Sequence, residues 1–335
     1  MSELSAEKAQ PYYSDDAVTL WHGDAGSVLR DLPAGSVNCC VTSPPYFGLR
    51  AYSDDEREIG REESPAEFIE NLRAVFAEVW PVLADDGVLW VNIGDTWYSG
   101  RGNPGPPGHD KKNRDRRGWQ RAVDKPGQAW GRPKSLLGIP WRLAFALMDD
   151  GWILRQEVIW AKRNCTPDPA ADRPGRAHEQ VFMLTKKKNY WFDAKAIREE
   201  SDPEQQAHNE RYAKVYDAHT ERADGRQPGN QNSKGIHSRP GDPGRHPRSV
   251  WSISAQPFPG EHPATMPPGV AEKCILSSCP PGGVVLDPFS GSGTTGMVAA
   301  QHGRRYVGID LHEKYLRLSL DTRLAQSALL DGVTA

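Results

Sequence analysis

The residues best suited to chemistry form two short stretches, one early and one late in the 335-residue chain. The early stretch is Ser43-Pro44-Pro45-Tyr46, which comes just after the apolar run Val37–Val41, a predicted buried strand. Two successive prolines exclude a helix and remove two backbone donors, so the chain leaves the strand in a stiff, extended turn. Its carbonyls, hydroxyl and aromatic ring predict a clamp for a flat group with an N–H donor, such as a base with an exocyclic amine. A proline-stiffened surface turn is the alternative.

The late stretch follows a second predicted strand, Val284–Asp287, and is rich in glycine. Gly291, Gly293 and Gly296 satisfy the pattern G-x-G-x-x-G, and Asp310 ends the next predicted strand. Alone, this pattern indicates a Rossmann dinucleotide site, with a tight turn, a close approach to the ligand and a carboxylate for the ribose. The carboxylate at the start of the loop favours a different ligand, because it repels a pyrophosphate but suits a cationic amino group.

Both stretches resemble motifs of one enzyme family. Ser-Pro-Pro-Tyr after a strand resembles the catalytic motif of the DNA amino-methyltransferases, which methylate N4 of cytosine or N6 of adenine with S-adenosylmethionine. Asp-Pro-Phe-x-Gly-x-Gly-Thr, at residues 287–294, resembles the S-adenosylmethionine loop of that family. The resemblance covers residues 17–193 and 250–320, and the order of the motifs is that of the family's β group.

The resemblance implies a role for each part of the cofactor site. Asp287 would hold the methionine amino group, free N–H groups near Thr294 would hold the carboxylate, and Asp310 would hold the ribose hydroxyls. The segment beginning at His262 resembles the one that closes over the methionine end, with a structural cap as the alternative. Asp24 ends an early strand at the ligand-binding edge of the sheet, or caps the next helix. The predicted cofactor residues are Asp24, His262, Pro263, Asp287, Pro288, Phe289, Gly291, Gly293, Thr294 and Asp310.

The order of the motifs predicts the fold. Strands alternate with helices along the chain, which is typical of a parallel sheet. The catalytic turn comes early and the cofactor loop late, so the last strands, 284–287 and 306–309, must pair beside the first, 18–21 and 37–41. We therefore predict an α/β protein with a circularly permuted, Rossmann-like methyltransferase fold. Its mostly parallel sheet would carry helices on both faces and an inserted DNA-recognition region.

Three parts make up the predicted organisation. Residues 1–194 form the catalytic half, 195–249 the candidate target-recognition insertion, and 250–335 the cofactor-binding half. Ser64-Pro65-Ala66-Glu67 is a typical helix start, and this helix is predicted to end at Asp86-Gly87. Further helices are predicted at 25–32, at 140–148, at 269–278 and from the end of the glycine-rich loop to about residue 300. Further strands are predicted at 88–93, 152–160, 180–185 and 190–193.

Two polar insertions are basic although the whole chain carries a net charge of −3. Residues 99–134 hold ten basic and three acidic side chains, interleaved with aromatic rings, and residues 226–248 hold five basic and one acidic. Such loops suit a phosphate backbone and unstacked bases, with a solvated insertion as the alternative. The residues predicted to contact DNA are Lys111, Lys112, Arg114, Arg116, Arg117, Lys162, Arg239 and Arg245.

Composition excludes several other classes of protein. Five cysteines without a C-x-x-C pair and isolated histidines predict reduced thiols and no metal site. No apolar run approaches membrane length, and residues 1–16 hold no apolar signal core, so neither a membrane partner nor secretion is predicted. We expect a cytoplasmic, DNA-associated protein of a bacterial, phage or archaeal cell, acting as a monomer or homodimer. The predicted partners are double-stranded DNA and, acting separately, a cognate restriction endonuclease.

The predicted reaction moves a methyl group from S-adenosylmethionine to an exocyclic amine of a flipped base, with residues 43–46 as the catalytic residues. Ser43 and the Pro44 carbonyl would accept the amine hydrogens, and Tyr46 would stack on the base. In the family, serine at the first motif position goes more often with cytosine N4, so N4 is predicted and adenine N6 is the alternative. No Pro-Cys dipeptide supplies the thiolate for C5 methylation. An NAD-dependent oxidoreductase, a non-catalytic DNA-binding relative and a methyltransferase for RNA or protein stay open.

Overall fold

A single nine-stranded sheet forms the centre of the molecule. The structure, a computed structural model, describes residues 10–49, 55–102, 121–165, 167–168, 170–200, 204, 207, 211, 244–256 and 266–324. The strands are β1 Tyr13–Ser14, β2 Val18–His22, β3 Val37–Thr42, β4 Leu83–Ile93, β5 Ile153–Lys162, β6 His178–Thr185, β7 Val250–Ile253, β8 Val284–Asp287 and β9 Arg305–Asp310. The α-helices are α1 Ala25–Asp31, α2 Pro65–Val82, α3 Ile139–Asp149, α4 Pro268–Ser278, α5 Thr294–Gln301 and α6 Glu313–Ser319.

The strand order β1-β2-β9-β8-β3-β4-β6-β5-β7 confirms the permuted arrangement. The late strands β8 and β9 lie between the early strands β2 and β3, and all the pairings from β2 to β4 are parallel. Strand β6 runs antiparallel to both β4 and β5, and β1 is an antiparallel edge. Because β3 and β8 are parallel neighbours, the segments after Thr42 and Asp287 emerge at the same end of the sheet.

Apolar residues cover both faces of the sheet, as the predicted fold requires. Neighbouring residues of β3 face opposite sides: Cys40 joins the core under α1, α2 and α3, and Cys39 joins the core under α4, α5 and α6. Both thiols are free and fully buried, so they act as packing groups. The division into three parts stays a prediction, since the sheet draws strands from both ends of the chain.

Helix α2 begins as predicted but ends earlier. The Ser64 hydroxyl accepts from the Glu67 backbone N–H at 3.2 Å, and Pro65 occupies the first turn. The predicted end at Asp86-Gly87 is wrong, because Leu83 is extended, fully buried and paired with Val37 of β3. The burial of Leu83 and its strand pairing thus end the helix before the polar, turn-like residues that were predicted to end it.

The short strand predicted at Tyr190–Asp193 is also wrong. This segment is irregular, because its backbone donors bond to two different elements. The Trp191 N–H donates to the Asp86 carbonyl of β4, and the Asp193 N–H donates to the Ser277 carbonyl of α4. The backbone of this segment therefore ties the sheet to a helix without extending the sheet.

Two broad classes of feature are absent from the described part of the chain. None of its helices is long and apolar enough to cross a membrane. Its histidine, cysteine and acidic side chains form no group of three or more that would hold a metal ion.

Candidate active site

A cavity of about 650 Å³ opens at the carboxyl ends of the parallel strands. Its lining brings together the two stretches singled out from the sequence: the complete turn Ser43–Tyr46 and the later residues Pro288, Phe289, Gly291 and Asp310. Residues more than 240 positions apart meet because β3 and β8 are neighbours. This is the position at which α/β folds bind their ligands.

The Ser43–Tyr46 turn is held from its aromatic end. The Tyr46 hydroxyl donates to the Glu179 carboxylate at 2.6 Å and lies 3.5 Å from the Ser43 hydroxyl. Burial and the negative charge of Glu179 raise the pKa of Tyr46 well above its usual range. The phenol therefore keeps its proton and acts as a hydrogen-bond donor at neutral pH.

The Tyr46 ring rests on a glycine at the end of β4. A Cβ atom on Gly94 would lie 2.6 Å from the ring, so only glycine lets the ring take this place. The next residue, Asp95, caps α3 by accepting from the backbone N–H groups of Gly138 and Ile139, each at 3.0 Å. The ring is thus seated against a fixed strand end.

The Asp287 carboxylate is hydrogen-bonded within the protein. It accepts from the Thr42 hydroxyl at 2.6 Å, the Thr295 hydroxyl at 2.8 Å and the Phe289 backbone N–H at 3.1 Å. Burial raises its pKa to about 6. Among the described residues, the cavity lining includes both Pro288 and Phe289 but not Asp287. These contacts join β3 to the cofactor loop, and the predicted contact with a methionine amino group stays a prediction.

Asp310, the last residue of β9, also lines the cavity. It accepts from the backbone N–H groups of Gly291 and His312, each at 2.8 Å. Burial, with a smaller contribution from the charge of Asp287, raises its pKa to about 7. A buried carboxylate of this kind gains from further donors, and the hydroxyl pair of a ribose would supply them.

The glycines of the loop are required by its backbone. Gly291 and Gly293 adopt left-handed φ values of 50° and 76°. A Cβ atom on Gly293 would also lie 2.8 Å from Cβ of Ser319. Gly293 caps α5, whose first residue, Thr294, accepts a hydrogen bond from Arg323. The loop therefore brings its backbone close to the cavity, and its residues fit an adenosyl group bearing a ribose.

The remaining predicted residues fall into three groups. Asp24 lines the cavity and also caps α1, accepting from the Ser27 backbone N–H at 2.9 Å. Of the residues predicted to contact DNA, Lys162 lines the cavity, and Arg245 forms an ion pair with Glu199 at 2.9 Å. The residues that lie outside the described part of the chain are Lys111, Lys112, Arg114, Arg116, Arg117, Arg239, His262 and Pro263.

Sequence reasoning missed the polar wall of the cavity. Asn92 and Glu179 line it, and they come from β4 and β6. The available signal was weak: Glu179 is a single acid next to the apolar run Val181–Leu184. The relation of these residues to the Ser43–Tyr46 turn follows only from the antiparallel pairing of β6 with β4 and β5.

The fold and site define a Rossmann-like α/β protein in which the Ser43–Tyr46 turn and the glycine-rich loop after β8 share one cavity. Residues 37–321 match the family model for DNA methylases of the N6 and N4 type. Three curated relatives are similar over most of their length: the type II methyltransferase M.Cfr9I of Citrobacter freundii (44% identity, 96% of this chain, 93% of the relative), M.XycI of Xanthomonas campestris pv. cyanopsidis (44%, 95%, 91%) and M.SmaI of Serratia marcescens (39%, 89%, 87%). The chain belongs to the DNA methylase family, which depends on S-adenosylmethionine.

Solved structures share the fold at low sequence identity. The cytosine-N4-specific PvuII DNA methyltransferase superposes with a TM-score of 0.60 at 18% identity, covering 96% of this chain and 93% of that chain. A putative DNA modification methylase of Thermus thermophilus, TTHA0409, in complex with S-adenosylmethionine, gives a TM-score of 0.52 at 22% identity, covering 92% and 95%. The predicted fold class is confirmed.

Proposed function

We propose that this DNA methyltransferase modifies the N4 amine of cytosine at a specific site in duplex DNA. The observation that carries the proposal is the shared cavity, which is lined by both the Ser43–Tyr46 turn and the Phe289–Gly291 loop. A methyl acceptor held by the first and a cofactor held by the second would meet without rearrangement of the sheet. Such pre-positioning supplies much of the rate enhancement in a transfer between two bound molecules.

The cofactor half would hold S-adenosylmethionine through its own loop and strand ends. Asp310 would accept from the ribose hydroxyls, Phe289 would pack against the adenosyl group, and the left-handed backbone at Gly291 allows close approach. When bound, S-adenosylmethionine supplies an electrophilic methyl group. The residues around Asp287 keep the loop in register with β3, and thereby with the acceptor turn.

The acceptor half would make the exocyclic amine, a poor nucleophile, more reactive. The lone pair of an exocyclic amine is delocalised into the ring, so the nitrogen becomes reactive only as it turns pyramidal. By accepting the amine hydrogens, the Ser43 hydroxyl and the Pro44 carbonyl stabilise the positive charge that develops on nitrogen. Tyr46 would stack on the base after it leaves the duplex. No covalent bond to the protein is needed.

Serine at the first position of the motif supports cytosine N4, and adenine N6 is the second candidate. The names of the relatives support a type II system, in which a separate endonuclease would cut the same DNA sequence. A cytoplasmic location in contact with DNA agrees with these roles. The basic side chains in residues 99–134 and 226–248 would form the protein surface that contacts the DNA phosphates.

The test is incubation with isotope-labelled S-adenosylmethionine and duplex DNA, followed by mass spectrometry of the released nucleosides. We expect labelled N4-methylcytosine. Labelled N6-methyladenine would overturn the base assignment and leave the reaction class intact. Absence of any label in DNA, together with binding of NAD, would overturn the proposal altogether.

A further inference from the structure

Three side chains from three segments donate to the carboxylate of a fourth side chain, Glu179, on the acceptor side of the cavity. Glu179 of β6 accepts from the Tyr46 hydroxyl at 2.6 Å, from the Asn92 amide at 3.2 Å and from the Lys162 ammonium. All four line the cavity. The Glu179 side chain is 13% exposed, so these bonds form in a region largely shielded from water.

The bonds around Glu179 fix the orientation of the Asn92 amide. Its NH2 group donates to the Glu179 carboxylate and to the Gln180 carbonyl, both at 3.2 Å. A flipped amide would bring its oxygen against two acceptors, so the assignment follows from the network. The amide oxygen is then left buried with no hydrogen-bond partner in the described part of the chain. A buried, unpaired acceptor beside a cavity is suited to a donor on the ligand.

Lys162 balances the charge of this wall. Its ammonium pairs with Glu179 and lies 4.6 Å from the centre of the Trp160 ring, which also lines the cavity. An unpaired buried carboxylate would be costly, and the Lys162 ammonium supplies its partner. The wall therefore offers fixed acceptors without a net charge to attract ions.

We propose that Glu179 is a positioning residue for the methyl acceptor. It holds the Tyr46 ring through the phenol oxygen, and by accepting from the Asn92 NH2 group it leaves the Asn92 oxygen as a second acceptor for the exocyclic amine, in addition to Ser43. The two hydrogens of the amine would then have separate acceptors, which fixes the direction of the nitrogen lone pair. Glu179 takes no proton in this scheme and touches neither reacting atom. The inference rests on the proposed methylation of an exocyclic amine.

The test compares kcat, KM for DNA and the Kd for S-adenosylmethionine in three variants: Glu179→Gln, Tyr46→Phe and the double variant. Glu179→Gln keeps the size of the side chain but turns an NH2 group toward a neighbouring donor. We expect kcat to fall about 10- to 100-fold, with unchanged cofactor Kd. In the Tyr46→Phe background the same change should cost much less, because one of its targets is already lost.

Glu157→Gln is the matched control, since Glu157 lies on the adjacent strand β5, paired with Phe182 of β6, outside the cavity lining. It should leave kcat unchanged. Wild-type kcat in Glu179→Gln, or losses that simply multiply in the double variant, would overturn the positioning role. If Glu179→Gln fails to bind cofactor or to fold, Tyr46→Phe decides alone, and wild-type kcat there overturns the proposal. Failure of the wild-type protein to label DNA would instead refute the proposed function.

Discussion

The two halves of the cavity satisfy their polar groups in different ways. On the cofactor side, the Asp310 carboxylate is held by backbone N–H groups, that of Gly291 in the loop after β8 and that of His312 two residues further along the chain. On the acceptor side, Glu179 is held by side chains from β4, from β5 and from the turn after β3. Backbone donors thus fix the carboxylate of one half, and side chains brought together by the sheet fix the carboxylate of the other.

This difference separates the expected effects of mutation. Changes on the cofactor side should alter the binding of S-adenosylmethionine and the stability of the loop. Changes on the acceptor side should alter the rate of transfer and leave cofactor binding intact. Four sets of variants either sharpen this separation or break it.

The largest effect is expected for Ser43→Ala, which removes an acceptor for the amine hydrogens. We expect kcat to fall by about 10²- to 10³-fold, because the positive charge on nitrogen loses its stabilisation. Isothermal titration should give the wild-type Kd for S-adenosylmethionine. Ser36→Ala, just before the opposite end of β3, is the control. A weaker cofactor Kd in Ser43→Ala would break the separation of the two halves.

A large effect in the opposite half is expected for Asp310→Ala. Loss of a carboxylate acceptor for the ribose hydroxyls should weaken S-adenosylmethionine binding by about 10- to 100-fold. At saturating cofactor, kcat should stay near the wild-type value. Asp321→Ala changes an exposed acid in the helical residues Leu320–Leu324, directly after α6, and provides the control. A fall in kcat with an unchanged Kd for S-adenosylmethionine would show that Asp310 acts on the acceptor side, contrary to the prediction.

The raised pKa of Asp310 predicts a pH-dependent stability of the cofactor-free protein. The folded state keeps the proton up to about pH 7, whereas the unfolded chain releases it near 3.8. As the pH rises between these values, the folded state holds more protons than the unfolded state, so the wild-type protein loses stability. Relative to Asp310→Asn, we expect a loss on the order of 4 kcal/mol in chemical denaturation between about pH 4 and pH 8. A difference that stays constant over this range would contradict the prediction.

The smallest effects are expected from a pair of glycine substitutions. Gly293→Ala places a Cβ at 2.8 Å from Ser319 and forces a left-handed φ, so it should cost roughly 1–2 kcal/mol of stability and weaken cofactor binding. Gly94→Ala meets the Tyr46 ring at 2.6 Å, so it should lower kcat and leave cofactor binding unchanged. Thermal unfolding and steady-state kinetics distinguish the two. Lower kcat with normal cofactor binding in Gly293→Ala, or weaker cofactor binding in Gly94→Ala, would show that the two halves are not independent.

The same contrast explains how much could be predicted from the sequence. The cofactor loop and the acceptor turn were both predicted, because each is a contiguous motif with glycine or proline at fixed places. The permuted sheet also followed, since the order of the two motifs requires β8 and β9 to lie beside β2 and β3.

Features that depend on distant pairing could not be predicted in this way. The end of α2 at Val82 depends on Leu83 pairing with Val37, and Glu179 acquires its role only when β6 lies beside β4 and β5. The internal use of Asp287 depends on Thr42 of the neighbouring strand. In each case the deciding contact joins residues far apart in the chain, and local composition carries no trace of it.

The most direct measurement is a structure of the protein with duplex DNA and a non-transferable analogue of S-adenosylmethionine. We expect an extrahelical cytosine against the Tyr46 ring, with its N4 within hydrogen-bond distance of the Ser43 hydroxyl. The adenosyl group should lie beside Phe289 and Asp310 in the same cavity. A base bound elsewhere, or an analogue that does not reach the cavity of the Ser43–Tyr46 turn, would contradict the account.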